Sequence, residues 1–493
     1  MQEIVNKRTY TQKVYDNGDG TQTLKAHVGH IHYKDEQDQF ADVDLTLEDK
    51  GAYWEMRKHN YRLRVHKDFG ANQLIQYTNR YKGANHTIVY EPHSLRWVNN
   101  PDLSDMQMFR TQQSVQGVYN AQNGVVRYEG AFGFGIDFEI TIGSRGFKKE
   151  VIIQAKNALE LPPTPQHKLG AFFRFQGDGL NVLKRNGEKW NEQDFFESDN
   201  GFEFEEVGVA KSFVRPAVIE DSGVDQKQVE RIKVFWRKHN GSLWQAKVLP
   251  KQFLQNATYP VRADTTTDYD SGTGDGTCYN NVSTPFLTLR EQSSSDVVYT
   301  GGTYLQAAYW SSKYRLGRVF YPVDTSGIPD TATVTSANLN VAMKANSNYR
   351  DSILVETTQA SGTALATSDF GTVNITSYNQ ISASISGSGW TTDTMRSIPL
   401  TDVSVVNKTG YTKMAFIDED YDAGGVTPSD NKWIELYTDA NGGASYQPYL
   451  EVTYTAAASS SIKSINGVTQ ANIKSVKGVT NANTKSILGV SNV

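Results

Sequence analysis

Strict alternation between apolar and polar residues is the feature that most constrains this chain. In residues 131–143, one parity is apolar and includes Phe138 and Ile140, whereas the other parity carries Asp137 and Glu139. Side chains of a β-strand point alternately to opposite faces, so this pattern predicts a strand with one buried face and one solvent-exposed face. The same alternation recurs further along the chain, which indicates a protein built from sheets.

Turn signals separate the alternating segments. Asn240-Gly241 lies within the alternating segment 232–248, and Asn-Gly in that position is the strongest short-range signal of a β-hairpin. No segment combines a helical apolar period with helix caps. We therefore predict an all-β fold of tandem, antiparallel, jelly-roll-like β-sandwiches followed by a short repetitive C-terminal tail.

The chain of 493 residues is longer than one hydrophobic core fills, and its composition changes along its length. Charged and aromatic residues are mixed in the first half, whereas Ser, Thr and Gly become frequent in the second. A segment of Ala and Ser then reads as a flexible linker. We expect β-sandwiches over residues 1–145, 146–262 and 263–455, and a linker with repeats over residues 456–493.

The C-terminal tail contains an internal repeat. The segment IKSINGVTQAN begins at residue 462, IKSVKGVTNAN begins at residue 473, and a third copy follows, so the offset is 11 residues. An offset of this length also suits a right-handed helical coil, but the glycine within each copy and its β-branched neighbours disfavour a helix. Short strand-turn units are the preferred interpretation, with a disordered peptide that orders on docking as the alternative.

One copy of the repeat is too small to bury its own apolar residues, so the tail is expected to pack against other copies, a second chain or a partner. Closed cyclic symmetry favours a homo-oligomer, most naturally a trimer. The residues predicted to mediate oligomerisation are Ile462, Ile465, Val468, Ile473, Val476, Val479, Ile487 and Val490.

Charge and cysteine content argue against several classes of partner. A net charge of −5 offers no basic face, so no nucleic-acid partner is expected. The single cysteine, Cys278, excludes an internal disulfide framework and a multi-cysteine metal cluster. No apolar stretch approaches the length of a membrane-spanning helix, so membrane insertion is not expected either.

The beginning of the chain and its composition point in different directions. Residues 1–10 lack the apolar core of a secretory signal peptide. The abundance of Tyr, Gly, Ser, Thr and Asn is nevertheless typical of surface fibres and lectins. A particle assembled in the host cytoplasm and released by lysis reconciles the two observations, so a virion location is expected. The extracellular space or cell surface is the alternative.

Two regions resemble known families. The segments YRLGRVFYPVD (314–324), IPDTATVTSANL (328–339) and YQPYLEVTY (446–454) resemble the DNRLRE-type β-sandwich of secreted bacterial proteins, which is related to carbohydrate-binding modules. This resemblance covers residues 298–455 and implies a β-sandwich. Thr325 follows Asp324 where the family has serine, so its ligand positions are not carried over.

The preceding region has landmarks at residues 32–35, 42–45, 215–223 and 259–264. With these, residues 25–265 are similar to the β-sandwich region that precedes such modules in Rhs-like and wall-associated proteins. The C-terminal repeats resemble the tails of phage structural proteins.

Aromatic residues are frequent in the third predicted domain. Their rings stack on sugars and suit glycan or protein recognition, although Tyr and Trp are also ordinary residues of a sandwich core. The residues predicted to bind a ligand are Tyr304, Tyr309, Trp310, Tyr314 and Trp390.

An acidic segment offers a candidate cation site. Clustered carboxylates on a loop suit Ca²⁺, and the predicted ligands are Asp418, Asp420, Asp422 and Asp430. A solvated acidic loop explains the same residues without a metal. Glycoside hydrolysis needs two carboxylates at a defined separation across a sugar, which neighbours on alternating faces do not provide. No Ser-His-Asp or Cys-His set has a supporting context, so no enzymatic activity is expected.

These observations predict a structural protein of a phage-like virion. It would serve as a tail, baseplate or head-decoration component in contact with other virion proteins, and its third domain would bind a host surface glycan or receptor. The first alternative is a secreted bacterial cell-surface carbohydrate-binding protein. The second is a polysaccharide depolymerase.

Overall fold

The structure is a computed structural model. It describes residues 1–81, 86–99, 106–177, 181–184, 190, 196–198, 202–206, 209–215, 217–223, 228–239, 241–268, 274–300, 303–347, 350–439 and 446–455, together with two-residue strands in the C-terminal tail. Across these residues the chain is almost entirely antiparallel sheet, which confirms the all-β prediction. The α-helices of these ranges are α1 (Lys251–Asn256) and α2 (Phe286–Arg290).

Strands are numbered in chain order. Up to residue 268 they are β1 (Gln2–Glu3), β2 (Gln12–Asp16), β3 (Thr21–His27), β4 (His32–Lys34), β5 (Phe40–Asp42), β6 (Glu48–Asp49), β7 (Tyr53–Met56), β8 (Tyr61–His66), β9 (Ile75–Asn79), β10 (His86–Val98), β11 (Met106–Thr111), β12 (Val118–Asn120), β13 (Val125–Tyr128), β14 (Ile136–Ile142), β15 (Gly146–Ile153), β16 (Lys168–Gln176), β17 (Asn181–Lys184), β18 (Phe196–Ser198), β19 (Phe202–Glu206), β20 (Val209–Val214), β21 (Val218–Glu220), β22 (Val229–Arg231), β23 (Lys233–His239), β24 (Ser242–Val248) and β25 (Val261–Asp268).

The remaining strands are β26 (Gly276–Val282), β27 (Val297–Tyr299), β28 (Thr303–Trp310), β29 (Lys313–Asp324), β30 (Val334–Ser347), β31 (Ser352–Glu356), β32 (Met395–Pro399), β33 (Tyr411–Asp418), β34 (Asn431–Leu436), β35 (Tyr449–Thr455), β36 (Ser464–Ile465), β37 (Val468–Thr469), β38 (Ser475–Val476), β39 (Val479–Thr480), β40 (Ser486–Ile487) and β41 (Val490–Ser491).

The first sandwich is made of two sheets. The outer sheet has the strand order β18-β23-β24-β16-β10-β9-β8-β7-β6, with β11 paired to β10. The inner sheet has the order β12-β13-β14-β15-β25-β20-β19-β17, with β21 paired to β25 and β22 to β21. One hydrophobic core lies between the sheets and includes Tyr77, Phe138 and Trp236.

The second sandwich combines the N-terminal strands β1–β3 with strands β26–β35 of residues 276–455. Its strand order is β1-β2-β3-β35-β30-β34-β28-β29-β26-β27, with β32 on β30, β33 on β29 and β31 on β33. Leu24 of β3 and Val452 of β35 lie opposite each other in this sheet and are buried in the same core. A smaller core beneath α2 surrounds Cys278 and Phe320.

These pairings divide the chain differently from the expected boundaries at residues 145, 262 and 455. Strands β14 and β15 flank the first expected boundary and pair through Ile142 and Phe147, while β1–β3 belong to the second sandwich. Residues 48–268 therefore form one sandwich, not two. Alternation shows which face of a strand is buried but carries no information about the strand it pairs with.

The segment 131–143 also differs in part from its prediction. Strand β14 begins only at Ile136, because Gly133 and Gly135 have positive φ angles and form a turn. Asp137 and Glu139, on the polar parity, are buried rather than solvated. Arg127 donates to Asp137 at 2.7 Å and Arg262 donates to Glu139 at 2.9 Å, so arginines replace water on this face.

The predicted hairpin within residues 232–248 is present as β23 and β24, which pair up to His239 and Ser242. Asn240 of its turn lies outside the described residues.

In the C-terminal tail, the strands pair as β36–β37, β38–β39 and β40–β41, which matches the preferred strand-turn interpretation. Ile462 and Ile473 lie outside the described residues, as does the linker at 456–461.

Candidate functional site

A cleft opens between the two sandwiches and has a volume of about 690 Å³. One wall comes from β22, α1 and their flanking residues in the first sandwich, and the other from β26 and the β28–β29 hairpin in the second. We call it the Trp310 cleft. Its lining residues are Gln228, Val229, Glu230, Gln252, Phe253, Asn256, Thr258, Tyr279, Asn281, Trp310, Ser311, Lys313 and Arg315.

A tight hairpin turn positions Trp310 in this cleft. Trp310 and Lys313 form the last paired rung of β28 and β29. Ser311 and Ser312 connect them with φ angles of 49° and 62°. Two consecutive positive φ angles are typical of a type I′ hairpin turn and are uncommon for residues other than glycine, asparagine and aspartate. The turn holds the half-buried indole and the Lys313 amine beside each other at the cleft wall.

Arg315 lies beneath the indole. Its guanidinium carbon is 4.4 Å from the centre of the Trp310 ring, and the Arg315 side chain is itself buried. A guanidinium stacked on an aromatic face at this distance is an attractive contact. Arg315 therefore fixes the orientation of the indole and adds a positive charge to the cleft.

The opposite wall supplies polar groups from a short helix and a hairpin. On α1, Phe253 and Leu254 are buried, and Gln252 and Asn256 line the cleft with amide side chains. Partial burial raises the pKa of the Glu230 carboxyl above its ordinary value. Amide side chains offer both hydrogen-bond donors and acceptors, so this wall suits a ligand rich in hydroxyl groups.

The aromatic residues predicted to bind a ligand occupy different environments. Trp310 lines the cleft, and Tyr309 beside it is 40% exposed with its ring 4.7 Å from that of Tyr314. Tyr304 is buried at the junction of the sandwiches, where its hydroxyl donates to Glu220 at 3.4 Å. Trp390 is 3% exposed and packs in the second core. Neither the Tyr304 nor the Trp390 ring offers a face to a ligand in this structure, and ligand binding at these two residues stays a prediction.

The acidic segment folds around arginines. Asp422 is fully buried, and both its carboxylate oxygens accept from Arg318 at 2.7 and 2.8 Å. Arg318 also donates to the carbonyl oxygens of Phe370 and Arg290, at 2.7 and 2.6 Å. Arg290 in turn donates to the carbonyl oxygen of Ala423 at 3.0 Å. This buried ion-pair centre ties the acidic loop to the body of the sandwich.

The other predicted Ca²⁺ ligands are arranged differently. Asp418 caps the turn by accepting from the Tyr421 amide at 2.8 Å, and burial raises the pKa of Asp418 to about 7. Arg350 contacts both Asp418 and Asp430, while Asp420 is exposed. Within the described ranges no three His, Cys, Asp or Glu residues are grouped so that they could hold a metal ion. Because arginines occupy these oxygens, the arrangement favours an ion-pair role, and the Ca²⁺ site stays a prediction.

A second buried polar centre lies where the sandwiches meet. The Ser144 hydroxyl donates to the Asp439 carbonyl at 3.0 Å, and the Asp439 amide donates to Asp275 at 2.8 Å. Arg145 forms an ion pair with Asp439, and Gln447 donates to the same carboxylate at 2.8 Å. Burial, and then the nearby Asp439, raises the pKa of Asp275 to about 6. We call this set the junction centre.

Sequence reasoning found Trp310 but missed the rest of the cleft. Gln228, Gln252, Asn256 and Asn281 are ordinary polar residues in three separate segments, because only Gln252 and Asn256 share an element, α1. No local spacing connects them, and only the pairing of two sandwiches brings them together. The two serines at the turn gave no hairpin signal, since that signal depends on Asn-Gly or similar pairs.

Comparisons with known proteins add little. No protein-family model matches this chain, and a search of curated proteins finds no match. Among solved structures, a xanthan lyase from Paenibacillus aligns at 9% identity over 90% of this chain and 55% of that chain, with a TM-score of 0.10. This chain thus spans about half the length of that protein, and a superposition this poor supports no conclusion about fold or function. No helix in the described part of the chain is long and apolar enough to cross a membrane.

Proposed function

We propose that this protein is a non-catalytic glycan-binding structural protein and that the Trp310 cleft is its binding site. The observation that carries this proposal is a half-buried tryptophan, held by a tight turn and a stacked arginine, in a cleft lined by amide side chains. Clefts of this size between domains are common sites for small ligands.

The cleft suits a saccharide because its lining combines an aromatic face with polar side chains, which match the apolar and polar surfaces of a sugar ring. The apolar C–H face of the ring would stack on the Trp310 indole. The hydroxyl groups would exchange hydrogen bonds with Gln252, Asn256 and Asn281, which can each donate and accept. Lys313 and Arg315 add positive charge, so the cleft also accommodates a carboxylate-bearing sugar.

The test is a binding measurement on the full chain with oligosaccharides from candidate host surfaces. Trp310→Ala is expected to weaken binding at least about tenfold, which corresponds to about 1.4 kcal/mol. Phe134→Ala is the matched control, because Phe134 is 74% exposed and does not line the cleft. Equal affinities of the native protein and Trp310→Ala, for every glycan that binds, would refute the site.

The same samples address the depolymerase alternative. Released reducing ends or unsaturated products would identify an enzyme, whereas binding without product release supports recognition alone. Product release that Glu230→Gln abolishes would place the chemistry in the cleft.

A phage-like particle is the setting that we propose for this binding protein, with the C-terminal repeats as an anchor that gathers three copies. The support is the repeat itself: two-residue strands are too short to be stable alone, and gathering weak sites raises avidity without new contacts. Mass spectrometry of purified particles tests the setting. Recovery from a bacterial cell surface instead would favour the first alternative.

The oligomeric state is tested by light scattering on the full chain and on a variant that ends at residue 455. The full chain is expected to have the mass of a trimer and the shortened variant that of a monomer. Equal masses would refute the role of the tail.

A further inference from the structure

The outer sheet of the first sandwich carries an unusual charge cluster on its solvent face. Glu55 of β7 is fully buried, and three arginines contact its carboxylate: Arg57, Arg62 and Arg64. The Arg62 Nε atom lies 2.6 Å from a Glu55 oxygen. Arg64 lies directly opposite Glu55 in the pairing of β7 with β8. We call these four residues the arginine cluster.

The cluster holds more positive charge than its carboxylate needs. One arginine neutralises one glutamate, so the remaining two guanidinium groups leave a net charge of about +2 in a confined area, which costs like-charge repulsion. Among the described residues, no carboxylate other than that of Glu55 lies within ion-pair distance of these three arginines. Arg80 adds a further exposed cation nearby, where it donates to the carbonyl oxygen of Arg57 at 3.2 Å.

The three guanidinium groups are both fixed and accessible. Arg57 and Arg64 donate to Glu55 through their Nε atoms, and their terminal N–H groups have no acceptor among the described residues, so they remain for an external one. The Arg64 guanidinium also stacks over the Tyr53 ring at 5.2 Å. The Arg57, Arg62 and Arg64 side chains are 56%, 31% and 33% exposed. Arginines held in place in this way lose little freedom when they bind an anion.

We propose that the arginine cluster is a binding site for an anionic polysaccharide. The anion would carry carboxylate, phosphate or sulfate groups, which arginine forks bind with paired hydrogen bonds. The surface is a sheet face rather than a cavity, and Arg62 and Arg64 lie about 6.6 Å apart along one strand. That geometry suits repeated charges on an extended polymer. The site shares no residue with the Trp310 cleft and does not depend on it.

The experiment measures binding of the full chain to dextran sulfate, with uncharged dextran as the neutral probe, at several salt concentrations. Arg57→Gln removes the most exposed arginine and leaves two on Glu55, so the fold is retained. It is expected to weaken binding about fivefold and to lower the slope of log affinity against log salt by about one. Arg237→Gln is the control, since Arg237 is exposed on β23, which is five strand spacings, or about 24 Å, from β8, the nearest strand of the cluster.

Glu55→Gln separates binding from a structural role. Its amide oxygen still accepts hydrogen bonds from the three arginines and keeps them in place, while the negative charge is removed, so affinity for dextran sulfate is expected to rise about twofold or more. Unchanged affinity in Arg57→Gln or Glu55→Gln would overturn the proposal, as would an equal loss in Arg237→Gln or equal binding of uncharged dextran. Displacement by inorganic phosphate at matched anion concentration would show a simple anion site. Tighter binding of duplex DNA at the same salt would show a nucleic-acid site. Either result would overturn the assignment to a polysaccharide.

Discussion

Asp422 of the buried ion-pair centre and Trp310 of the cleft both lie in the second sandwich, and both were conspicuous in the sequence. At the ion-pair centre, Arg318 and Asp422 are matched one to one and their polar atoms are used by neighbours. In the cleft, the Trp310 indole is partly accessible and faces amides from the other sandwich. Side chains satisfied by their own fold stabilise that fold, whereas side chains fixed but left accessible are suited to bind something else.

The largest expected effect is the loss of stability when the ion-pair centre is broken. Asp422→Ala leaves the buried Arg318 guanidinium without its carboxylate, so the free energy of unfolding should fall by about 3–5 kcal/mol. Urea unfolding measures it. Asp420→Ala removes a carboxylate from the same loop, but Asp420 is exposed, and a change below about 0.5 kcal/mol is expected.

Similar stabilities of the two variants would mean that the acidic loop does not hold the sandwich together.

Unfolding measurements with added Ca²⁺ test the Ca²⁺ prediction. A cation that binds only the folded state raises stability with its concentration. A rise in Tm with Ca²⁺ that Asp420→Ala abolishes would confirm a metal site in this loop.

The fold class was predictable because alternation is a local property of the chain. Alternation correctly identified the core residues Phe138 and Ile140, but it failed at Asp137 and Glu139, where arginines from other strands contact the second face. The joining of β3 to β35 connects residues more than 400 positions apart. No local pattern encodes such a pairing, so the domain boundaries could not be found from composition.

The predictions for the candidate sites show the same limit: local features were visible in the sequence, and contacts with distant residues were not. Trp310 stood out as an aromatic residue, but Tyr304 and Trp390 looked equivalent in the sequence and are buried. The carboxylates of Asp418 and Asp422 were visible as neighbours, whereas Arg318 and Arg350 lie about 70–100 residues away from them. The sequence identifies a charged side chain more readily than it identifies the distant residue that is already paired with it.

The charges of the junction centre are less evenly matched than those of the ion-pair centre, so its contribution to stability should depend on pH. Asp275 and Asp439 share the neighbourhood of Arg145, and the pKa of Asp275 is raised to about 6. A carboxyl whose pKa is higher in the folded state binds more protons there, so its contribution to stability declines as pH rises from about 4 to about 6. The decline is expected to be about 1–3 kcal/mol.

Asp275→Asn removes this titration and should flatten stability over that pH range. Stability at pH 4, 5, 6 and 7 from urea unfolding gives the comparison. If the stability of the native protein depends on pH over this range in the same way as that of Asp275→Asn, the Asp275 carboxyl does not titrate as expected.

A smaller effect is expected from the arginine beneath Trp310. Arg315→Met keeps an extended side chain but removes the charge that stacks on the indole, a contact of about 0.5–1 kcal/mol. Glycan affinity should fall about two- to fivefold, with a change in tryptophan fluorescence. Arg396→Met is the matched control, because Arg396 also stacks on a tryptophan, at 4.9 Å from the buried Trp390. Equal effects of the two variants on affinity would remove the positioning role of Arg315.

The smallest expected effect concerns the turn that carries Trp310. Ser312 has a φ angle of 62° and Gln73, far from the cleft lining, has one of 59°. Glycine adopts such angles without steric cost, so Ser312→Gly and Gln73→Gly should change the free energy of unfolding by similar amounts, each within about 1 kcal/mol. The affinity for a glycan distinguishes the two variants. Freer backbone at Ser312 loosens the hairpin that presents the indole, so Ser312→Gly should weaken binding about twofold, whereas Gln73→Gly should leave it unchanged. If both variants bind as the native protein does, the turn is only a connection, and the orientation of Trp310 must come from its stacking on Arg315.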